Sequence, residues 1–314
     1  MHAWWKSKQA GWLAVSFHAD RIDVAHVQRP AGARPALKRL ESYARSGDDA
    51  EALRILGKQK GLAAYRCTTM LAPGSYQILS VEAPDVPDED LREAVRWQLK
   101  DVLEFPVENA TVDVMELSAG QVAGRPKALL AVAANNEELV PRMRAFASAK
   151  LDLAAIDVPE MAQRNIASLV EDTNRGLAML AFDENGGLLT FTHQGELCVA
   201  RRIEVTSQQL NAADETRRPQ LYERIGLELQ RSLDNFERQY TAVSVSKIVL
   251  GPIPFAAGLI EFLRDYVYLP VVQLDLTGLI DCAAAPELQQ AVLQAERLSL
   301  IGAALREESP GGRG

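Results

Sequence analysis

"LREAVRWQLKDVLEFPVENATVDVMEL", residues Leu91 to Leu117, carries two periodicities joined at one point. Leu91, Ala94, Val95, Gln98, Leu99 and Val102 recur at helical spacing and share one face. Arg92, Glu93, Arg96 and Lys100 lie mostly opposite, and Trp97 falls outside the apolar stripe, between Glu93 and Asp101. The pattern predicts a helix capped by Asp88 and running into Phe105. There Pro106 disfavours helical geometry at the residue before it and stops the helix. Val112, Val114 and Leu117 then open a strand region.

Downstream, Lys127 to Ala133 (KALLAVA) predicts a second strand, and Asn135 or Asn136 caps a helix running to about Lys150. Upstream, Ala83-Pro84-Asp85-Val86-Pro87 breaks the preceding pattern. Helix, strand, strand, helix is a self-contained unit, expected as a small module at residues 84–150 inserted into a larger domain.

That larger domain opens with expected strands at Gly11–Phe17, Arg21–Gln28 and Ala36–Tyr43, then a helix at Asp48–Lys58 stopped by Gly61. Strands follow at Cys67–Ala72 and Gln77–Glu82. After the module come a strand at Leu151–Asp157 and a helix from Pro159 to about Glu171. Asn174-Arg175-Gly176 marks a boundary. Beyond it, strands at Leu177–Phe182, Leu188–Thr192 and Leu197–Ile203 are joined by loops short enough for tight hairpins. A long helix, Arg217–Tyr240, carries the stripe Leu221, Ile225, Leu229, Leu233, Phe236 and Tyr240. A strand at Lys247–Leu250, a helix at Phe255–Asp265, a strand at Val271–Leu276 and a helix at Glu287–Arg306 complete the chain. Three strands, then helix and strand, thus occur twice. The order predicts two similar α/β domains, 11–175 and 176–306, with residues 1–10 and 307–314 as flexible ends.

The composition narrows the chemistry. The 314 residues are 47% hydrophobic and 24% charged, ordinary values for a folded protein. A net charge of −8 disfavours a general nucleic-acid binder. There is no run of about 18 apolar residues and no signal-peptide pattern, so a cytoplasmic chain is expected. Trp4 and Trp5, beside Lys6 and Lys8, read as local packing at a frayed terminus. Cys67, Cys198 and Cys282 are widely spaced in apolar runs, as buried hydrophobes rather than ligands. No phosphate-cradling GxxxxGK[ST], no GxSxG and no HExxH is present. His2, His18, His26 and His193 have no partners at metal-ligand spacing. Asp85, Asp88, Glu89 and Asp90 suit the positive end of a helix dipole. Gly251-Pro252-Ile253-Pro254 reads as a strand stop and helix start.

The quoted run also resembles the inserted subdomain of the PilM-like proteins of type IV pilus biogenesis. There a Glu-Ala-Φ-Arg-Trp-Glu helix ends at an aromatic-Pro and a strand follows. Leu129 to Asn165 is similar to that family's next segment, Glu228 to Tyr240 to its long second-domain helix, and Leu298 to Arg306 to its closing helix. The resemblance covers about Gly11 to Arg306, and the short length and divergent loops look closest to the member serving MSHA-type pili. It implies an actin-like (ribonuclease H-like, duplicated) two-domain α/β fold around a cleft, with a small α/β subdomain inserted in the first domain. It further implies a groove, formed with the insertion, for the cytoplasmic tail of a PilN-like inner-membrane protein. Other pilus assembly proteins are possible further partners. Trp97 is the candidate residue of that partner surface, the alternative being an aromatic that covers the insertion's own sheet.

Nucleotide binding in such a fold needs an Asp-x-Gly hairpin in each domain. Here Ser16 stands where Asp is expected and His18 where Gly is, and Asp23 replaces a lysine or similar residue. In the second domain Ala181 and Asp183 stand at the Asp and Gly positions. Leu250-Gly251-Pro252 replaces a Ser-Gly-Gly motif on the adenosine side. A carboxylate facing a phosphate costs about 1 kcal/mol at about 4 Å even in bulk water. These replacements argue against ATP as a cofactor and for a non-catalytic adaptor, peripheral to the inner membrane through its partner. The rival readings are an ATP-binding actin-like switch and the related cytoplasmic domain of a type II secretion L-protein.

Overall fold

The computed structural model describes residues 8–119 and 127–307. The expectations placed on residues 1–7 and 308–314, Trp4 and Trp5 among them, lie outside the described residues.

The chain opens with strands β1 (Trp12–Phe17), β2 (Arg21–Gln28) and β3 (Ala36–Ala44), an antiparallel meander. Helix α1 (Asp49–Lys60) starts where the Asp48 side chain accepts the Glu51 N–H, and stops at Gly61, whose φ of 67° is the left-handed turn glycine adopts without strain. Strand β4 (Arg66–Met70) then lies parallel to β1. Next come β5 (Tyr76–Glu82), α2 (Leu91–Gln98), β6 (Ala110–Glu116), β7 (Ala128–Asn135) and α3 (Asn136–Ser148), which Asn135 caps. Strand β8 (Asp152–Asp157) runs parallel to β4, and α4 (Pro159–Ala167) follows.

The second half repeats the plan. Strands β9 (Gly176–Asp183), β10 (Gly186–His193) and β11 (Glu196–Ile203) form a meander. Helices α5 (Ser207–Ala212) and α6 (Arg217–Gln239) lead to β12 (Val245–Leu250), parallel to β9. Helix α7 (Leu259–Tyr266), strand β13 (Val271–Gln273), helix α8 (Leu276–Leu279) and helix α9 (Ala291–Ala304) close the chain. The two five-stranded sheets have matching orders, β3-β2-β1-β4-β8 and β11-β10-β9-β12-β13.

Strand β9 shows why the core sits where it does. Its sequence GLAMLAF is an unbroken small and apolar run, as a strand covered on both faces must be. Ala178, Leu180 and Phe182 face a core closed by the α6 stripe. Leu177, Met179 and Ala181 face a second core, filled by α4 and α9, whose far wall is Ala14, Ala25, Val27 and Leu37 of the first sheet. Helices α4 and α9 are therefore the filling between the sheets. They cross closely: a Cβ on Gly302 would lie 2.3 Å from the Ala162 carbonyl oxygen, so this position requires glycine.

Several expectations need correction. Helix α2 ends at Gln98, not at Phe105. Val95 and Leu99 fill the insertion's core, and the chain then turns so that Leu103 and Phe105 return to the same cluster. Gln77 holds this turn by accepting the Glu104 N–H at 2.7 Å. Val102 is left exposed, and Pro106 precedes a short turn of 3-10 helix instead of stopping an α-helix. Asp88 lies in a turn and caps nothing; Asp90 is the residue before α2 and makes no capping bond. Strand β13 and helix α7 are shorter than expected, and α5 and α8 were not anticipated. The expected module boundaries also cut across structure. The small sheet, β5-β7-β6, begins at Tyr76 rather than after residue 84. At the other end Ala145 and Phe146 of α3 are buried with Leu53 and Leu56 of α1 in the main body.

Phe236, 1% exposed, stacks on Phe191 at 4.6 Å between ring centroids. Truncation there, Phe236→Ala, is expected to cost about 3–5 kcal/mol in denaturant unfolding. Leu227→Ala, at an exposed position of the same helix, should stay within about 0.5 kcal/mol of wild type.

His26 on β2 is buried, with Nε2–H donating to the Ala10 carbonyl at 2.8 Å. Burial pushes its pKa below the ordinary 6.5, and the hydrogen bond offsets only part of this. The unfolded chain therefore takes up a proton first as pH falls. Stability should be full above about pH 6.5 and decline as pH drops below it. His26→Gln should flatten that decline in melts recorded from pH 7.5 to 5.

Candidate functional site

Ser16 on β1 pairs in register with Asp23 on β2, and His18 begins the hairpin turn. The Asp23 carboxylate is buried and faces two guanidinium groups and an imidazole. Arg297 of α9 donates Nη1 to it, Arg21 Nε lies 3.1 Å away and His18 Nε2 3.0 Å. The Arg297 guanidinium also donates to Ser42 Oγ at 2.9 Å. Asp23 is therefore not the free negative charge expected to repel a phosphate; its charge is neutralised within the fold. Ser16 Oγ is 3.4 Å from the same His18 Nε2 that faces Asp23. Both contacts fall on one ring nitrogen, so the imidazole cannot relay a proton between serine and aspartate as a nucleophilic triad does.

In the second domain the structure brings Ala181 and Gly251 together. The Gly251 N–H donates to the Leu180 carbonyl at 2.7 Å, and a Cβ on Gly251 would lie 2.8 Å from the Ala181 Cβ. Ala181 is part of the apolar core between the sheets. Asp183 accepts the Asn185 N–H at 2.7 Å and lies 3.6 Å from Arg202 Nη1. The residues at these positions do not fit a metal-bound triphosphate. The carboxylates at the hairpin positions, Asp23 and Asp183, are already paired, and Ala181 supplies no oxygen. Three surface cavities, of ≈ 560, 370 and 220 Å³, have none of Ser16, His18, Ala181, Asp183 or Gly251 in their walls.

The smallest of these cavities lies where the insertion meets the second domain. Pro73, Gly74, Tyr76 and Ile78 form one wall, Ala200, Arg201 and Arg202 of β11 the other, and Glu160 of α4 belongs to the lining. Beneath it Leu117 and Leu130 of the insertion pack on Leu197. Ser118 N–H and Oγ–H both donate to Glu196 at 2.8 Å. Tyr76 Oη–H donates to the buried Glu160 carboxylate at 2.5 Å, and Arg202 approaches its other oxygen at 3.5 Å. Burial, and then the Glu160 charge, raise the Tyr76 phenol pKa, so this tyrosine stays a donor.

Strand β5 is an edge of the small sheet. Ser75 accepts the Asn135 N–H, and the Ala83 N–H donates to Lys127. The antiparallel register then gives β7 the backbone groups of Gln77, Leu79 and Val81. Those of Tyr76, Ile78 and Ser80 point away from β7, toward the open edge.

Trp97 is 46% exposed. Its Nε1–H donates to Glu93 at 2.7 Å, and the Arg96 guanidinium lies 5.3 Å from its ring. The insertion's core of Val95, Leu99, Ala110, Val112, Leu129, Ala131 and Ala133 excludes it. Trp97 therefore does not cover the sheet, and it does not line the Tyr76 groove either.

Sequence reasoning missed Tyr76, Glu160, Arg201 and Arg202. Tyr76 and Glu160 are far apart in the chain, and a glutamate after Pro159 reads as a dipole residue. The available signal was the Arg201-Arg202 pair ending a strand. Cys67 and Cys198 are buried, with thiol pKa values pushed to about 12 by burial, and are inert at neutral pH. Among the described residues no group of three or more His, Cys, Asp or Glu is placed to hold a metal ion, and no helix is long and apolar enough to cross a membrane.

The chain superposes on the solved PilM–PilN type IV pilus biogenesis complex with a TM-score of 0.73, at 20% identity, over 94% of this chain and 98% of that one. The fold is actin-like. A Bacteroides thetaiotaomicron protein described as having an actin-like ATPase fold gives 0.49 at 13% identity, over 93% and 98% of the two chains. The cytoplasmic domain of EpsL, an inner-membrane component of the type II secretion system of Vibrio cholerae, gives 0.41 at 16%, over 65% and 76%. No protein-family model matches the chain, and no curated protein does.

Removing one partner of a buried ion pair leaves the other charge uncompensated. Asp23→Ala is thus expected to destabilise by about 3–5 kcal/mol in chemical denaturation. The double variant Asp23→Leu with Arg297→Met should recover most of that loss, because no buried charge is then stranded.

Proposed function

We propose that this chain is a non-catalytic scaffold of a type IV pilus assembly platform, of the MSHA type. It sits at the cytoplasmic face of the inner membrane and holds the cytoplasmic tail of a PilN-like inner-membrane protein. The observation that carries this reading is the PilM likeness over 94% of the chain, insertion included. In this reading the two actin-like domains, 11–175 and 176–306, are a frame. The insertion forms one wall of the tail-binding groove, and Trp97 marks the partner-facing side of the insertion.

The pairing of Asp23 and Asp183 and the burial of Ala181 support a frame that takes no nucleotide. The rival switch reading predicts otherwise. A ligand at a hundred times its Kd stabilises the fold it binds by about 2.7 kcal/mol. Thermal unfolding of this chain should be unchanged by millimolar Mg-ATP; a clear upward shift would establish the switch. Solubilised inner membranes passed over the immobilised chain should yield a pilus-platform membrane protein that is lost when its cytoplasmic tail is removed. Retention of no pilus or secretion component would sink the scaffold.

A further inference from the structure

The largest of the three surface cavities, ≈ 560 Å³, lies at the end of β1 and β2 remote from the hairpin that carries Ser16 and His18. Its walls are Gly11, Val27, the loop from Arg29 to Ala33, Leu169 just after α4, and Arg306 and Glu307 after α9. Three arginines gather there. Arg29 and Arg306 line the cavity, and Arg164 of α4 is close enough for their charges to repel its own. Two carboxylates answer them. The buried Asp157 accepts from Arg306 at 2.8 Å, and the exposed Glu307 holds Arg29 at 3.0 Å. Arg164 has no ion pair among the described residues. Its Nη1 donates to the uncharged Asn165 side chain at 2.9 Å, and its Nε is buried without a hydrogen-bond partner. Burial lowers the Arg164 pKa, and Asp157 and Glu307 offset only part of that. The buried Trp12, whose ring lies 5.4 Å from the Arg306 guanidinium, also leaves its Nε1–H without a partner. In a chain of net charge −8, this corner is rich in cations and short of acceptors.

We infer that this cavity binds a small phosphate monoester, whose anionic group takes the place of Glu307 against Arg29 and Arg306 while its carbon skeleton lies on Val27, Pro30 and Leu169. Charge sets the class of ligand. Set against Asp157 alone, the three guanidiniums leave two positive charges unanswered. The Glu307 side chain that partly answers them is 67% exposed. An exposed ion pair contributes little, so Glu307 can be exchanged for another anion. A phosphate monoester carries roughly two negative charges at neutral pH, and a guanidinium fork matches its oxygens in pairs. The volume admits a small organic ligand together with its phosphate. In Mg-ATP the metal bridges the β and γ oxygens and neutralises them. That complex is a poor occupant here, and the nucleotide test of the hairpins does not read this cavity. The same monoester chemistry is carried by free metabolites and by the headgroup of phosphatidic acid.

The probe is glycerol phosphate, titrated calorimetrically into the full chain in magnesium-free buffer with chloride balancing the ionic strength. Saturable binding is expected. Arg29→Gln should weaken it about tenfold, the loss of a charge-assisted hydrogen bond. Glu307→Gln removes the competing carboxylate and should tighten it about two- to fivefold. Arg224→Gln, at an exposed ion pair on α6, should leave it unchanged. Hydrogen exchange of the unaltered chain gives a readout independent of any variant: the amides of the loop from Arg29 to Ala33 should slow when glycerol phosphate is added. A second arm separates the sources, by sedimenting the chain with phosphatidylcholine vesicles that contain or lack phosphatidic acid. Calorimetric binding without recruitment to either vesicle assigns the cavity to a free metabolite. Recruitment by phosphatidic acid that Arg29→Gln abolishes assigns it to the lipid headgroup. Either result supports the site. Neither heat nor recruitment, or binding that Arg29→Gln and Glu307→Gln both leave unaltered, would overturn it. The scaffold reading is tested by recovery of its membrane partner and stands or falls separately.

Discussion

The architecture depends on how closely two helices approach each other between two sheets. Helix α9 comes from the end of the chain and α4 from the end of the first domain, and they cross with Gly302 against the Ala162 carbonyl. Any side chain at that point would push the helices apart. Separation there would open the apolar layer that Ala14, Ala25 and Val27 share with Leu177, Met179 and Ala181. Asn165 adds a hydrogen bond to the Gly302 carbonyl at 2.9 Å, and Gln163 reaches the Met179 and Leu188 carbonyls. The duplicated sheets are thus tied together by contacts that neither half could make alone.

The same packing explains the altered hairpins. Arg297 projects from α9 toward the first sheet, and it is buried. A buried guanidinium needs a carboxylate and further acceptors to be tolerated. Asp23 and Ser42 supply them. An aspartate in the first hairpin is therefore accounted for by a helix almost the whole chain away, with no phosphate involved. Ala181 is small and apolar because it closes the layer beside Gly251.

Much of this could be read from the sequence, and the exceptions share a cause. The duplication was legible because each strand of β1 to β3 and β9 to β11 has its own local pattern, alternating or, as in β9, continuously apolar, and is bounded by turn residues. The α6 stripe was legible for the same reason, as all six of its apolar residues are buried. Failures occurred where a distant residue decides local geometry. Gln77 on β5 ends the α2 region earlier than Pro106 alone would imply. Helix α5 had a local signal, the Thr206–Gln209 capping box, that went unused. The Tyr76–Glu160–Arg202 cluster had no local signal beyond the two arginines. Its meaning arises only when the insertion leans on β11.

That leaning decides what the insertion can do. A small three-stranded sheet with one helix has little core of its own, and such units are marginal without further packing. Here Leu117 and Leu130 pack on Leu197, Ser118 binds Glu196, and Tyr76 binds Glu160. These contacts immobilise the sheet at its base, yet β5 and β11 never pair. Two strand edges held close but unpaired form a groove whose shape is set by side chains beneath it. A closed sheet would have offered no backbone to a partner, and a loosely tethered one would have lost conformational entropy on every binding event. The insertion meets neither fate, because its apolar contacts and its hydrogen bonds lie on the face below the open edge.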